Sequence, residues 1–176
     1  AGTLGYSGAV GVGADGLAGT GDDPAPLTGI ARTELEIVEG VAEEIAVGLD
    51  VQADNVTIRA LSIHGFGTDN TGAGSLFANA DIRIGMSTGG DTGTSLSGIL
   101  IEDNIVGVGP SSLADPGFGN RSLNGILIAG PDGGTLQNNL VAAAGQFGAF
   151  VTNNADNWTV YRNQFHENGY EDAGRD

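Results

Sequence analysis

Four segments of this chain share one pattern of apolar and polar residues, and no other feature of the sequence constrains the fold as strongly. The segments are "VTIRALSI" (56–63), "ILIEDNIV" (99–106), "GTLQNNLV" (134–141) and "WTVYRNQF" (158–165). Apolar residues stand at the first, third and eighth positions, with Gly134 as the exception. Because side chains alternate between the faces of a strand, this spacing predicts a short strand, a bend that shifts the phase by one residue, and a second strand.

The sixth position of the repeat is leucine in the first segment and asparagine in the other three. These residues are Leu61, Asn104, Asn139 and Asn163. An inward-facing amide at the bend can satisfy the backbone groups of the turn, and stacked amides can bond to one another along an axis. We therefore predict that Asn104, Asn139 and Asn163 form a structural ladder at one corner of the fold. The alternative is four unrelated Asn-rich loops.

A third strand is predicted before each repeat segment. The candidates are short β-rich runs beside Gly or Asp, at residues 48–52, 81–85, 125–129 and 148–152. Three strands in each turn of the chain, pairing only with the turns before and after, make a solenoid. Successive repeat segments are 43, 35 and 24 residues apart, so the longer turns must carry loops.

Segments rich in Gly, Ser, Thr, Asp and Pro lie at residues 67–79, 87–97 and 109–122. We predict that they are loops that flank one face of the solenoid, which is where functional side chains are usually found. Upstream, residues 33–51 fit either an amphipathic helix or a strand followed by a turn, and the strand is slightly favoured. Residues 1–32 are predicted to be a short strand and a long acidic, Gly-rich loop.

The repeat resembles that of the right-handed parallel β-helix family, specifically the bacterial extracellular repeats related in fold to pectate lyases. The resemblance rests on residues 48–67, 98–109 and 153–169 and spans roughly residues 33–169. It implies an all-β, right-handed parallel β-helix of about five coils over residues 33–176, with long loops on one side. It also implies an extracellular or cell-surface protein, often one segment of a longer chain or of an assembly.

The charge of the chain limits its partners. Six basic residues, all arginine, stand against 22 acidic residues, so the formal net charge is -16. Nucleic acid and anionic membrane surfaces would be repelled, and no apolar run approaches the ~18 residues of a membrane helix. Cysteine is absent, which excludes disulfides and thiolate metal sites. The predicted partners are a polysaccharide, or another copy or segment bound through the solenoid ends, without nucleic acid or direct membrane insertion.

Enzymes with this kind of repeat act on polysaccharides. The resemblance implies a Lys or Arg base with carboxylates that hold calcium in the lyases, and a cluster of Asp residues in the hydrolases. The chain has no lysine. The best catalytic candidates are Asp50, Asp81 and Arg83, which alternate with apolar residues and should face outward on neighbouring strands. Strands ~4.8 Å apart can bring two carboxylates to the separation of a retaining glycosidase pair, whereas a solvated ion pair is the alternative.

Two further pairs of residues are candidates for binding or catalysis. His64 and His166 follow apolar strand ends, and either can act as a general base beside a carboxylate, although a histidine at a turn is more often a hydrogen-bonded surface residue. Tyr161 and Tyr170 can form a sugar-stacking surface. Trp158 and Phe165 have inward phases and are predicted to belong to the core.

Calcium is the one cofactor that the sequence suggests, and none is required. Asp15, Asp22 and Asp23 lie on Gly-rich turns near the N-terminus. Carboxylate and carbonyl oxygens are the ligands that Ca²⁺ prefers. The alternative for this segment is a disordered acidic loop.

The β-helix scaffold hosts enzymes, adhesins and spacers alike, so it does not by itself define the function. Our leading hypothesis is a non-catalytic extracellular module for surface display, adhesion or assembly. The alternative is a polysaccharide-acting lyase or glycoside hydrolase, or a carbohydrate-binding domain, that uses the face around residues 48–52 and 81–97.

Overall fold

A computed structural model describes residues 33, 35–40, 45–67, 78–86, 95–111 and 113–169 of the chain. These residues form thirteen β-strands and no helix. The strands are β1 (Leu35–Val38), β2 (Val47–Val51), β3 (Thr57–Arg59), β4 (Leu61–His64), β5 (Ala80–Ile84), β6 (Ile99–Glu102), β7 (Ile105–Val106), β8 (Asn124–Ala129), β9 (Gly134–Gln137), β10 (Leu140–Ala142), β11 (Phe147–Thr152), β12 (Trp158–Tyr161) and β13 (Gln164–His166). The strand predicted near residue 35 is confirmed, and so are the paired strands of every repeat segment.

The strands are arranged in three parallel sheets. Sheet 1 consists of β2, β5, β8 and β11, sheet 2 of β3, β6, β9 and β12, and sheet 3 of β1, β4, β7, β10 and β13. Successive strands from β2 onward enter sheets 1, 2 and 3 in turn, so each consecutive triplet forms one rung that pairs with its neighbouring rungs. The described residues contain four such rungs, preceded by β1. The arrangement is all-β and compatible with a parallel β-helix.

One residue with a left-handed backbone makes the bend in each repeat segment. These residues, which connect sheet 2 to sheet 3, are Ala60 (φ 56°), Asp103 (φ 57°), Asn138 (φ 54°) and Arg162 (φ 55°). A positive φ is uncommon outside glycine, yet the bend recurs with four different side chains. A single left-handed residue reverses the alternation of faces, which explains the shift in phase that the sequence pattern shows.

The asparagines that follow the bend are stacked and hydrogen-bonded. Asn104 Nδ2 donates to Asn139 Oδ1 at 3.0 Å, and Asn139 Nδ2 donates to Asn163 Oδ1 at 2.9 Å. Each Oδ1 also accepts from a backbone N–H of the preceding rung, and each Nδ2 donates to a backbone carbonyl there. Asn104 and Asn139 are fully buried, so these amides replace the water that would otherwise bond to the backbone at the corner.

The interior of the rungs is filled by columns of apolar side chains. One column contains Ile58, Ile101, Leu136 and Val160, and the others include Val51, Ile63, Ile82, Ile126 and Val141. Burial of these side chains supplies most of the stabilisation, at roughly 25 cal/mol for each Å² of apolar surface. The two faces of β7 and β10 are both apolar, because Ile105 and Leu140 point outward into a second cluster.

Gly134 breaks the apolar pattern because Trp158 of the next rung occupies its space. A Cβ atom on Gly134 would lie 2.6 Å from Cη2 of Trp158. The indole Nε1 donates to the carbonyl of Pro131 at 3.1 Å, so the ring lies in a fixed position over the preceding rung. The large side chain of Trp158 therefore requires a residue without a side chain, Gly134, at the aligned position of the preceding rung.

Replacing Asn139 by leucine tests the buried corner. The change Asn139→Leu removes the amide while the neighbouring backbone groups stay buried, so we expect it to lower the free energy of unfolding by about 1–3 kcal/mol. Asn163→Leu is the matched control, because Asn163 makes the same kinds of bond but is only partly buried, and water can replace its amide. Urea unfolding of both variants measures the difference, and equal stability of Asn139→Leu and the wild type would contradict the ladder's role.

Candidate functional site

Asp50 and Arg83 form an ion pair on the outer face of sheet 1, where the catalytic residues are predicted. The two residues are aligned on neighbouring strands β2 and β5. Arg83 Nε donates to Asp50 Oδ1 at 3.1 Å, and Arg83 Nη2 donates to Oδ2 at 2.7 Å. Gln52 Nε2 donates to Asp50 Oδ1 at 2.8 Å and to the carbonyl of Met86 at 2.7 Å. The fork of two bonds holds both side chains in one geometry.

The environment of Asp50 favours its charged form. Partial burial raises the pKa of Asp50, but the hydrogen bonds from Arg83 and Gln52 and the charge of Arg83 outweigh it and hold the pKa below the ordinary value. The carboxylate is thus ionised at neutral pH and engaged by the guanidinium. An acid in this state cannot donate a proton to a leaving group, which leaves a nucleophilic or binding role. The catalytic roles of Asp50 and Arg83 stay predictions.

The outward orientation predicted for Asp81 is wrong. Its side chain is 0% exposed, and it is bonded to Ser122 Oγ and to the backbone N–H of Phe66. Alternation along β5 fails as a guide because Asp81 is the second residue of the strand, at the corner with sheet 3, where two other segments enclose it. Asp50 and Asp81 therefore do not form a pair of carboxylates on the outer face.

The remaining predicted residues lie apart from this ion pair. His64 Nε2 lies 2.8 Å from Glu36 Oε1, and His166 Nδ1 lies 3.8 Å from Glu167 Oε2. Tyr161 is 46% exposed at the end of β12 in sheet 2. Tyr170 and the predicted calcium ligands Asp15, Asp22 and Asp23 lie outside the described residues, so their roles stay predictions. Most of the loops at residues 67–79 and 87–97 also lies outside.

Phe165 differs from its predicted core position, whereas Trp158 is partly buried against the core. Phe165 is aligned with Val141, so its inward phase is as predicted, but its side chain is 46% exposed. The reason is its place in the last described rung, where no described strand packs above it. The repeat pattern gives the direction of a side chain and does not say whether another rung follows.

The loop at residues 109–122 contains an ion pair that the sequence did not single out. Arg121 Nε and Nη2 donate to the two carboxylate oxygens of Asp115 at 2.8 and 2.7 Å. The bond from Arg121 lowers the pKa of Asp115, and partial burial opposes this shift without cancelling it. Phe118, which stands between these two residues in the sequence, is 62% exposed. The Gly, Ser and Pro residues of this loop predict where it lies in the sequence. They do not predict the ion pair, because its two residues are six positions apart and follow no repeat pattern.

Part of the same loop, together with Val108 just before it, covers the outer face of sheet 3. Val108 and Leu113 pack against Ile105, Leu140 and neighbouring alanines of the strands. Strands that are apolar on both faces are typical of a covered sheet, and this is the signal in the sequence that could have predicted the cover. Sheet 3 therefore offers no open outer face at Ile105 and Leu140.

The described part of the chain lacks a metal-binding group and a membrane-spanning helix. It contains no group of three or more His, Cys, Asp or Glu side chains that could hold a metal ion. It also contains no helix of the length and apolarity needed to cross a bilayer. These statements apply to the six described segments and leave the N-terminal Asp residues untested.

Comparison with known proteins gives no match to this chain. Neither protein-family models, nor curated proteins, nor solved structures match it.

The ion pair of Asp50 and Arg83 predicts a small dependence of stability on acid. The pKa of Asp50 is depressed by folding, so the stabilisation is present above the ordinary pKa of about 3.9 and is lost as the pH falls through the lower folded pKa. Because Asp50 is about one-third exposed, we expect Asp50→Asn to cost only about 0.2–1 kcal/mol at pH 7.

Urea unfolding between pH 2 and pH 7 would measure this effect. The free energy of unfolding of the wild type should fall as the pH is lowered, and this fall should be smaller in Asp50→Asn. Asp115→Asn should behave similarly, because folding also lowers the pKa of Asp115. Asp156→Asn is the control, because Asp156 is exposed. If the free energy of unfolding changes with pH identically in the wild type and in Asp50→Asn, the ion pair does not contribute to stability as described.

Proposed function

We propose that this chain is a right-handed parallel β-helix that serves as a non-catalytic structural module and assembles end to end with a second copy of itself. The handedness is supported by a general rule, since connections between parallel strands of one sheet are right-handed in about 98% of cases. The location we propose is the cell surface or the extracellular space. The strong negative charge, which keeps a displayed surface solvated, supports this location.

The exposed apolar side chains of the last described rung are the observation that carries the proposal. Val151, Val160 and Phe165 are 45%, 50% and 46% exposed, whereas the residues aligned with them in the preceding rung, Ile128, Leu136 and Val141, are 0–1% exposed. One exposed apolar side chain comes from each of the three sheets. Among the described strands, β11, β12 and β13 lie at one edge of the three sheets, and unpaired strand edges are templates for pairing with another chain.

The opposite end of the described strands has matching chemistry. Strands β1, β2 and β3 are the other edge strands of the three sheets, and Leu35 in β1 is 57% exposed. Because β1 lies one rung beyond β2 and β3, stacking this end of one copy on the last described rung of another would pair β1 with β13 and continue sheet 3. Strand addition supplies main-chain hydrogen bonds and covers apolar side chains together. A head-to-tail contact of this kind does not close on itself, so it would lead to filaments.

The site geometry favours a non-catalytic function. Among the described residues, Asp50 is held by Arg83, and Asp81 is enclosed away from the surface. A glycosidase of the two-carboxylate type needs both carboxylates beside the substrate, and the described outer face of sheet 1 provides one. This observation supports a structural role over the alternative of a polysaccharide-acting enzyme.

Self-association is tested by placing a charge in the last rung. Phe165→Asp would put a carboxylate into the surface between copies, and because a buried unpaired charge is costly, we expect this variant to stay monomeric. The wild type should form oligomers that grow with concentration. Tyr161→Asp is the matched control, since Tyr161 is equally exposed in the same rung but belongs to the outer column with Gln137.

Analytical ultracentrifugation over a wide range of concentration, with electron microscopy for filaments, gives the measurement. A wild-type protein that remains monomeric throughout would overturn the assembly proposal. So would oligomers that persist unchanged in Phe165→Asp.

An activity screen tests the non-catalytic part of the proposal. Folded protein would be incubated with acidic and neutral polysaccharides in the presence of calcium, and new reducing ends and unsaturated uronides would be measured. We expect no turnover. Turnover that Asp50→Asn abolishes would show instead that the outer face of sheet 1 is an active site.

A further inference from the structure

Asp81 occupies a position that is glycine in the other three rungs. The strand register places it beside Gly48 on one side and Gly125 on the other, and Gly125 lies beside Gly148. At Gly48, a Cβ atom would lie 2.7 Å from Cδ2 of Phe66, and at Gly125 it would lie 2.7 Å from Cγ1 of Val141. This column is therefore crowded, and a carboxyl group is its one polar side chain.

The carboxyl group of Asp81 connects three segments of the chain. Its Oδ1 accepts hydrogen bonds from Ser122 Oγ at 2.6 Å and from Phe66 N at 3.3 Å. Ser122 Oγ in turn accepts from Gly65 N at 2.8 Å. The turn after β4 and the segment before β8 are thus both held to β5. Asp81 and Ser122 are fully buried, and Asp81 Oδ2 has no hydrogen-bond partner.

The basic residues on the enclosing elements are engaged by other carboxylates. These pairs are His64 with Glu36, Arg83 with Asp50, and Arg121 with Asp115. Burial raises the pKa of Asp81 well above the ordinary value, although the hydrogen bonds from Ser122 and from the backbone N–H of Phe66 oppose the shift. A neutral carboxyl group fits these surroundings, because an ionised Asp81 would be buried with one of its two oxygens, Oδ2, left without a hydrogen bond.

We propose that Asp81 is a built-in pH-sensitive clamp: while it is protonated, the Gly65–Phe66 turn and the Ser122 segment stay closed against β5, and its ionisation opens both segments because the buried charge gains hydration only in the open arrangement, which outweighs its stronger hydrogen bonds. The rungs themselves stay paired, because the sheets do not depend on this side chain. Ser122 ends the loop in which Leu113, together with Val108 just before the loop, covers Ile105 and Leu140. Release would loosen this cover and make an apolar surface accessible.

The direction of the pH dependence follows from the raised pKa. The folded protein retains the proton of Asp81 more strongly than the unfolded chain does. The clamp is therefore fully present below the ordinary pKa of about 3.9 and is lost as the pH rises through the raised folded value. A pH below the raised folded pKa favours the closed arrangement, and a pH above it favours the open one.

Nuclear magnetic resonance between pH 3 and pH 10 tests the clamp directly. The ¹³C signal of the Asp81 carboxyl group reports its protonation, and the amide signals of Gly65, Phe66 and Ser122 report the two held segments. We expect Asp81 to stay protonated after the exposed carboxyl groups have ionised. At the midpoint of the Asp81 titration, the amide signals of Gly65, Phe66 and Ser122 should shift together. The amides of Gly65 and Phe66 should also lose their protection from hydrogen exchange.

Two variants separate the charge of Asp81 from its shape. Asp81→Asn keeps the acceptor oxygen without titrating, so its amide signals should show no transition. Asp81→Gly restores the residue of the other rungs, and it should leave the segments released at every pH. Asp50→Asn is the control and should retain the wild-type transition, because Asp50 does not contact these segments.

Three outcomes would overturn the proposal. Asp81 could titrate together with the exposed carboxyl groups, it could ionise at high pH without any change in the three amides, or the transition could persist in Asp81→Asn. If circular dichroism shows that Asp81→Asn does not fold, Asp81→Gly provides the comparison. Amides that remain protected in folded Asp81→Gly would also count against the clamp.

Discussion

Hydrogen bonding at one corner sets the register of every other element. Where the chain leaves sheet 2 through a left-handed residue, its backbone groups lose their strand partners and are shielded from water. The buried amides of Asn104 and Asn139, with Asn163 above them, supply those partners. A slip by one residue would remove the amide from the corner and turn the apolar columns to the opposite face. The cost of both changes together explains why four rungs of unequal length stack with one register.

The strands and the corner could be predicted because their signals are local. Alternation of faces, one shift of phase and an asparagine after the bend all lie within eight residues, which is enough to locate β3 with β4 and the equivalent pairs. The position of Asp81 could not be predicted in this way. Its partners Phe66 and Ser122 lie 15 and 41 residues away, and alternation along β5 indicates the wrong environment. The glycines at 48, 125 and 148 were the available signal, since an aspartate among them is the exception that needs an explanation.

The three outer faces differ in what they offer to a partner. Sheet 1 presents the ion pair of Asp50 and Arg83, and sheet 3 is covered at Ile105 and Leu140 by the loop that follows β7. Sheet 2 carries a polar column in which Gln137 Nε2 donates to Glu102 at 2.7 Å. Among the described residues, none of these faces combines exposed apolar side chains with unpaired backbone. The last rung does, which is why the assembly proposal is directed to the end of the stack.

Trp158 gives this end of the stack an optical signal. It is the one tryptophan in the chain, its ring lies over Gly134 of the preceding rung, and its indole N–H bonds to Pro131. In a repeat protein whose rungs contact only their neighbours, the terminal rung separates most readily. Indole emission in this protein therefore reports separation of the last described rung from the one before it, without a contribution from any other tryptophan.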